Sequence, residues 1–225
     1  MIEQEFILLI MNCKKYRYKA AYQKSTWLKN LPSYLKYYHV IGDENLDNEH
    51  KFDDENNLLL VKTMDDYNSL PKKVISSYKA INETFNYKYI LKTDDDQILI
   101  NNKFFDMVTG LIKKGQSDIH YGGYMIDVKS HNSKYHLIHP ELPENLPINA
   151  TKYCTGRFYF LSSESVNYLI EKGDLIKKEY FEDYAIGYYL RDKFKKNILH
   201  IASDKFFKDI ENYDITEFVN NYNNK

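Results

Sequence analysis

Three consecutive aspartates, Asp94, Asp95 and Asp96, lie between two apolar runs, Tyr89-Ile90-Leu91-Lys92-Thr93 before them and Ile98-Leu99-Ile100 after. Adjacent carboxylates repel one another unless a cation is shared, and the end of a strand at a sheet edge is where α/β proteins hold ligands. Hard oxygen donors of this kind suit Mg²⁺ or Mn²⁺, ions that keep some water and complete their shell with substrate phosphates. A solvated acidic turn reads equally well from these residues alone, since Asp favours turns. A second acidic pair, Glu182-Asp183, opens a later apolar stretch. It reads either as a helix cap that satisfies free amides and the dipole, or as the base of a group transfer from a nucleotide carrier. An inverting transfer needs one such carboxylate, because the acceptor oxygen attacks in a single displacement while a metal stabilises the departing diphosphate.

The elements that must position these acids alternate between strand and helix. An apolar run over residues 5–11 reads as a first strand, and Arg17 to Lys29 carries apolar residues at helical spacing before Pro32. Tyr37 to Ile41 and Leu58 to Val61 are short apolar runs typical of buried strands, so the opening is expected to be β-α-β-β. Val74, Ile75, Tyr78, Ile81 and Phe85 recur at three- and four-residue spacing and predict a helix over Pro71 to Phe85. A strand over Tyr87 to Leu91 follows, then a helix over Phe104 to Ile112 closed by Lys113-Lys114-Gly115, and a strand over His120 to Ile126. Later segments read as a strand at Phe158 to Leu161 and helices at Glu164 to Glu171 and Asp183 to Arg191. Between about 127 and 150 lies a polar, proline-containing stretch with His131, His136 and His139, whose spacing matches no zinc pattern. A long polar segment of this kind is usually functional or mobile. The pattern as a whole implies an α/β sheet flanked by helices, with loops at one edge free to form a site.

Composition narrows the classes. At 225 residues with 43% hydrophobic and 28% charged, the chain is long enough for one core and is expected to form a single domain over 1–225, its acidic, Asn-rich tail 209–225 peripheral. A net charge of −1 supplies no global field for nucleic acid or an anionic membrane, so any phosphate binding must be local. No apolar run approaches the roughly 20 residues of a transmembrane helix, and no signal peptide is evident, which leads to the expectation of a soluble cytoplasmic protein. Cys13 and Cys154 form neither a metal-spacing motif nor a disulfide framework. Only three arginines occur, Arg17, Arg157 and Arg191, and their planar forks are something lysine cannot replace.

Five segments, in order, resemble the β-1,3-glycosyltransferases that include galactosyl-, N-acetylglucosaminyl- and Fringe-type enzymes. Tyr89-Ile-Leu-Lys-Thr-Asp-Asp-Asp-Gln-Ile-Leu-Ile-Asn101 is similar to that family's metal-binding segment, and Lys24-Ser-Thr-Trp27 to its basic-x-Thr-Trp element. Asp65-Asp-Tyr-Asn-Ser-Leu-Pro-Lys-Lys73 resembles its Asp-x-Tyr-x-Asn-Leu-Thr-x-Lys element, with Ser69 and Pro71 replacing Asn and Thr. Tyr153-Cys-Thr-Gly156 with Phe158-Tyr-Phe-Leu-Ser162 resembles its Tyr-Cys-Ser-Gly motif and strand, and Glu182-Asp-Tyr-Ala-Ile-Gly187 its Glu-Asp-Val-x-x-Gly motif. The likeness spans roughly residues 5 to 192.

This resemblance implies a GT-A fold with a central mixed sheet, Mn²⁺ (or Mg²⁺), a UDP-sugar donor, a glycan or glycoconjugate acceptor and an inverting transfer that forms a β-1,3 linkage. Carried over residue by residue, Asp94 and Asp95 lie along the ribose and diphosphate, Asp96 ligates the metal with Asp94 beside it, and Asp183 is the general base next to Glu182. Lys73 is expected near the uridine or diphosphate. His200 sits where a GT-A enzyme often places a second metal ligand, although a lone His at a strand end is also an ordinary structural residue. Where the family has small glycines after its Tyr-Cys-x-Gly motif, this chain has Gly156-Arg157, bulk close to the expected donor pocket; Arg157 reads as a phosphate or acidic-acceptor clamp or as an outward strand residue. Two rivals stand beside this reading. Asp94-x-Asp96 partly fits a haloacid-dehalogenase-like phosphatase, but the Gly42-Asp43 to Asp47 match precedes the aspartates rather than following them. A non-catalytic carbohydrate-binding protein would use the 22 tyrosines and Trp27 to stack on sugars.

Overall fold

The computed structural model describes residues 1–115 and 119–224, so Lys225 of the tail lies outside the described residues. The elements that position the acids are strands β1 (Phe6–Met11), β2 (Leu35–Gly42), β3 (His50–Asp53), β4 (Leu58–Val61), β5 (Tyr89–Asp94), β6 (Gln97–Leu99), β7 (Tyr121–Val128), β8 (Thr151–Ser162), β9 (Leu199–His200) and β10 (Phe207–Asp209). The principal helices are α1 (Arg17–Ser25), α2 (Leu70–Thr84), α3 (Phe104–Lys114), α4 (Ser163–Glu171), α5 (Glu182–Tyr189) and α6 (Thr216–Asn223). Eight strands form one sheet in the order β9-β7-β8-β5-β1-β2-β4-β3, while β6 and β10 pair antiparallel as a small second sheet.

The apolar run of β1 has no polar face because both sides of the sheet are covered. Ile7, Leu9 and Met11 meet α2, α4 and α5 through Val74, Ile75, Tyr78, Ile81, Leu169 and Ile186. Phe6, Leu8 and Ile10 face the opposite layer, where Trp27, Phe104, Phe105, Val108 and Phe207 pack. Parallel pairing of β5, β1, β2 and β4 accounts for this continuous burial. Trp27 stacks on Phe105 at 6.2 Å and stands edge-on to Phe207 at 6.3 Å, so it is a core residue and is unavailable to stack on a sugar.

The sheet is mixed, because β8 runs antiparallel to both β5 and β7, and β3 is antiparallel to β4. The edge strand β3 adds a fifth element to the expected β-α-β-β opening; its sequence, His50-Lys51-Phe52-Asp53, carries too little apolar character to announce a strand. The segment over Phe158 to Leu161 is only the end of the twelve-residue β8, whose pairing shifts register between Cys154 and Tyr159. That bulge carries Thr155, Gly156 and Arg157 out of the ladder and toward the acidic strand end. The polar 127–150 stretch pairs His131–Asn132 with Pro147–Ile148 as a two-residue ribbon. No helix among the described residues is long and apolar enough to cross a membrane.

Helix ends follow local chemistry. Pro71 lies in the first turn of α2, where its missing N–H costs nothing, and Ser162 caps α4 by accepting from the Ser165 amide at 3.2 Å. Gly187 decides how closely α5 approaches β8, since a Cβ there would lie 2.3 Å from Tyr153 Cβ and 2.7 Å from its Cα. Gly187→Ala is expected to push α5 off β8 and to cost about 1–3 kcal/mol of stability, measured by urea unfolding.

Candidate active site

A cleft of about 930 Å³ opens at the C-terminal ends of β1 and β5 and is lined by Asp94, Asp95, Asp96, Lys73, Gly156, Arg157, Glu182 and Asp183 among others. The two acidic segments, 87 positions apart in the chain, therefore meet. The connection runs through Lys92, a fully buried lysine in β5 whose Nζ lies 2.8 Å from Asp94 Oδ1, 3.2 Å from Glu182 Oε2 and 3.0 Å from the Gly156 carbonyl it donates to. Burial opposes its charge, yet the two carboxylates hold its pKa above the usual lysine range.

Glu182 and Asp183 are neighbours with different duties. Glu182 is buried, accepts from the Tyr159 hydroxyl as well as Lys92, and Tyr159 in turn bonds the Tyr78 hydroxyl at 2.9 Å. Asp183, in the first turn of α5, accepts the Tyr184 amide at 2.7 Å through Oδ1 and the Gly156 amide at 2.9 Å through Oδ2. Burial raises the pKa of both carboxyls, against the pull of Lys92. Gly156 is the hinge of this arrangement: the place where its Cβ would sit is 3.2 Å from Lys92 Nζ, 3.4 Å from Asp94 Oδ2 and 3.6 Å from Asp183 Oδ2.

In the acidic triplet, burial and the neighbouring acids push Asp94 up to about 6 and Asp95 up to about 7, with Lys92 and Lys19 respectively opposing. Lys19 is 3.8 Å from Asp95, whereas among the described residues no cation lies within ion-pair distance of Asp96. Asp96 Oδ1 instead accepts from the Gln97 amide, which also donates to Asp209 Oδ1. Among the described residues no three His, Cys, Asp or Glu side chains converge to cage a metal. Two oxygen-donor carboxylates at an open strand end fit a hard divalent cation that takes its other ligands from a diphosphate and water, and do not fit a closed structural site.

Other expected residues lie elsewhere or are otherwise engaged. His200 does not line the cleft; it pairs in β9 with Gly123 of β7, is exposed, and packs its ring 5.4 Å from Tyr124. Strand β9 is an edge strand of the eight-stranded sheet. Lys73 lines the cleft but donates to Asp65 Oδ1 at 2.6 Å and to the Asn12 carbonyl at 2.8 Å. Asp65 also accepts the Gly42 and Lys14 amides, so the Asp65 to Lys73 segment clamps the loop after β1. Arg157 lines the cleft with its guanidinium forked onto both Asp209 oxygens at 2.9 and 3.1 Å and onto the Phe207 carbonyl at 3.2 Å.

Gln23 and His39 went unnoticed in the sequence reading, and both are fully enclosed. From α1, Gln23 donates to the Asp94 carbonyl at 3.1 Å and the Gln97 carbonyl at 2.8 Å, gripping the acidic loop from both ends. Its Oε1 is 2.9 Å from His39 Nε2, which must therefore carry the proton, leaving Nδ1 without a partner. The signal was present: His39 and Lys92 each interrupt an apolar strand run, and Gln23 falls on the inner face of α1.

The comparisons with known proteins bear on this arrangement. A family model for galactosyltransferase matches residues 21–199. The chain belongs to the galactosyltransferase family. No curated protein is matched by sequence. Among solved structures, the chain is similar to a glycosyltransferase involved in the glycosylation of the major capsid of PBCV-1, at 10% identity and a TM-score of 0.53 over 88% of this chain and 83% of that one. It is also similar to S. aureus TarS 1–349, at 12% identity and a TM-score of 0.50 over 96% and 63%. A third likeness, to the glycosyltransferase GlyE of Streptococcus pneumoniae TIGR4, has 12% identity and a TM-score of 0.48. The matched region covers 90% of this chain but 46% of GlyE, so the chain spans about half the length of that relative. The fold is GT-A, as the mixed sheet flanked by helices leads one to expect.

Gln23→Leu leaves two carbonyls and the His39 N–H unpaired and is expected to cost at least about 2 kcal/mol by chemical denaturation. Burial holds the His39 pKa down to about 3, against about 6.5 unfolded, so between these values the unfolded chain binds the extra proton. The His39 contribution is therefore complete above pH 6.5 and is lost as pH falls toward 3, with a slope of up to about 1.4 kcal/mol per pH unit. Measured from pH 7 to 5, the wild type should lose more stability than His39→Gln.

Proposed function

We propose that this galactosyltransferase-family chain is an inverting glycosyltransferase that moves a hexose or N-acetylhexosamine from a UDP-sugar to a glycan hydroxyl, forming a β-1,3 linkage. The observation that carries the reading is the meeting of Asp183 with the acidic end of β5 across Gly156. A base and a diphosphate-binding pole on one cleft are what a single displacement requires.

In this reading Asp183 takes the acceptor hydroxyl's proton as that oxygen bonds to the anomeric carbon, and the bond between that carbon and the diphosphate oxygen breaks with its electron pair going to UDP. A carboxyl whose pKa is raised by burial is a better-matched base near neutral pH than an exposed one. The Gly156 and Tyr184 amides fix its orientation, and Lys92 keeps the neighbouring Glu182 charge satisfied. Asp96, assisted by Asp94, would hold a Mn²⁺ or Mg²⁺, which when bound would neutralise charge on the departing diphosphate. Lys15 and Lys19 at the cleft rim give that anion a local positive field despite the near-neutral net charge. UDP as carrier and the β-1,3 linkage rest on the five-segment resemblance and on membership of the family.

Thermal unfolding with UDP, GDP, CMP and dTDP, each with Mn²⁺ or EDTA, tests this. UDP at a hundred times its dissociation constant should add about 2.7 kcal/mol, or roughly 5–10 °C, only with Mn²⁺ and not in Asp96→Ala. Preference for another nucleotide overturns the donor. Asp183→Asn should keep the UDP shift while losing transfer by about 10²-fold or more, measured as UDP release in the presence of acceptor.

A further inference from the structure

Beside the cleft lies a second hollow of about 260 Å³ that shares Ile148, Tyr180, Phe181 and Tyr184 with it. The two hollows adjoin along these four residues, and Asp183, which lines the cleft, directly precedes the shared Tyr184 in the chain. Helix α5 supplies both sides of the junction: Asp183 faces the cleft, Tyr184 follows it, and Tyr188, one turn on, stacks on Tyr184 with centroids 5.5 Å apart at 15°. Asn149 holds this aromatic pair in place, its backbone amide donating to the Tyr184 hydroxyl at 2.9 Å and its side-chain amide to that of Tyr188 at 3.3 Å.

The lining of the hollow is mostly apolar and aromatic, with an amide (Asn149), one lysine (Lys178) and one glutamate (Glu179) among it. A pyranose ring has matching chemistry, an apolar C–H face bordered by hydroxyls, and ring-sized concave sites with a few polar groups are how such ligands are held. The opposite charges of Lys178 and Glu179 cancel, which suits a neutral sugar rather than a sialylated or phosphorylated one. None of Asp94, Asp95 and Asp96 lines the hollow.

We infer that the acceptor is a neutral oligosaccharide whose terminal ring presents its hydroxyl to Asp183 while the next ring lies on Tyr188 in this hollow. The inference rests on the glycosyltransferase reading of the cleft. Saturation-transfer NMR on the full chain with UDP and Mg²⁺ tests it, using methyl glycosides of galactose, glucose, mannose and N-acetylglucosamine against lactose, cellobiose, mannobiose and chitobiose. At least one disaccharide should bind about tenfold more tightly than its methyl monosaccharide, with saturation on both rings. Tyr188→Ala should abolish that gain and Tyr188→Phe keep it; Tyr188 is 36% exposed, so neither change opens the core. Absence of any disaccharide gain, or a gain that survives Tyr188→Ala, overturns the inference. UDP titrated into the chain with Mg²⁺ before any sugar is added separates the two levels: a wild type that fails to bind UDP overturns the underlying reading, whereas UDP binding without a disaccharide gain overturns the extended acceptor alone.

Discussion

One buried ammonium organises the functional half of the molecule. A lysine enclosed in a sheet is strongly destabilising unless its charge is met, and Lys92 is met from two directions, by Asp94 at the end of its own strand and by Glu182 on α5. The demand for both partners brings α5 against β5 and β8, and the residue after Glu182 is thereby delivered to the cleft. The Tyr159 and Tyr78 hydroxyls extend the same network into the hydrophobic layer, so Glu182 has no unpaired oxygen to lose.

Packing makes that approach possible. Gly187 removes the side chain that would collide with Tyr153, and Gly156 removes the one that would wedge among Lys92, Asp94 and Asp183. The register shift in β8 frees the Gly156 amide from the ladder to bind Asp183. On the other face, Gln23, oriented by His39, donates to the carbonyls of the acidic loop, while Asp65 and Lys73 tie down the loop after β1.

Much of the scaffold was legible in the sequence because its elements are periodic. The α2 spacing, the uninterrupted apolar runs of β1 and β4 and the apolar start of β5 follow from burial on one helical stripe or on both faces of a sheet. Strand β3 escaped because an edge strand needs little apolar surface, and the length of β8 escaped because its first half is polar and bulged. Among the site residues, the acidic triplet and the Glu182-Asp183 pair were visible as motifs, and the resemblance assigned the base to Asp183, but the buried partners of Glu182, Lys92 and Tyr159, were not legible. Lys73 and Arg157 were visible as charges, and only their neighbours Asp65 and Asp209 reveal that those charges are already paired.

By itself the sequence determined the fold class, the alternation of its main strands and helices and the two acidic segments around which a site could form, because periodicity and residue chemistry are local properties. The tertiary structure alone decided that these segments face one another, that both Glu182 oxygens are taken by Lys92 and Tyr159 while Asp183 meets Gly156, and that His200 stands apart from the cleft on an edge strand. Those outcomes depend on strand order, on a bulge and on two close approaches at glycine. None of these is a property of any stretch of chain in isolation, since each arises from the packing of segments that are distant in sequence.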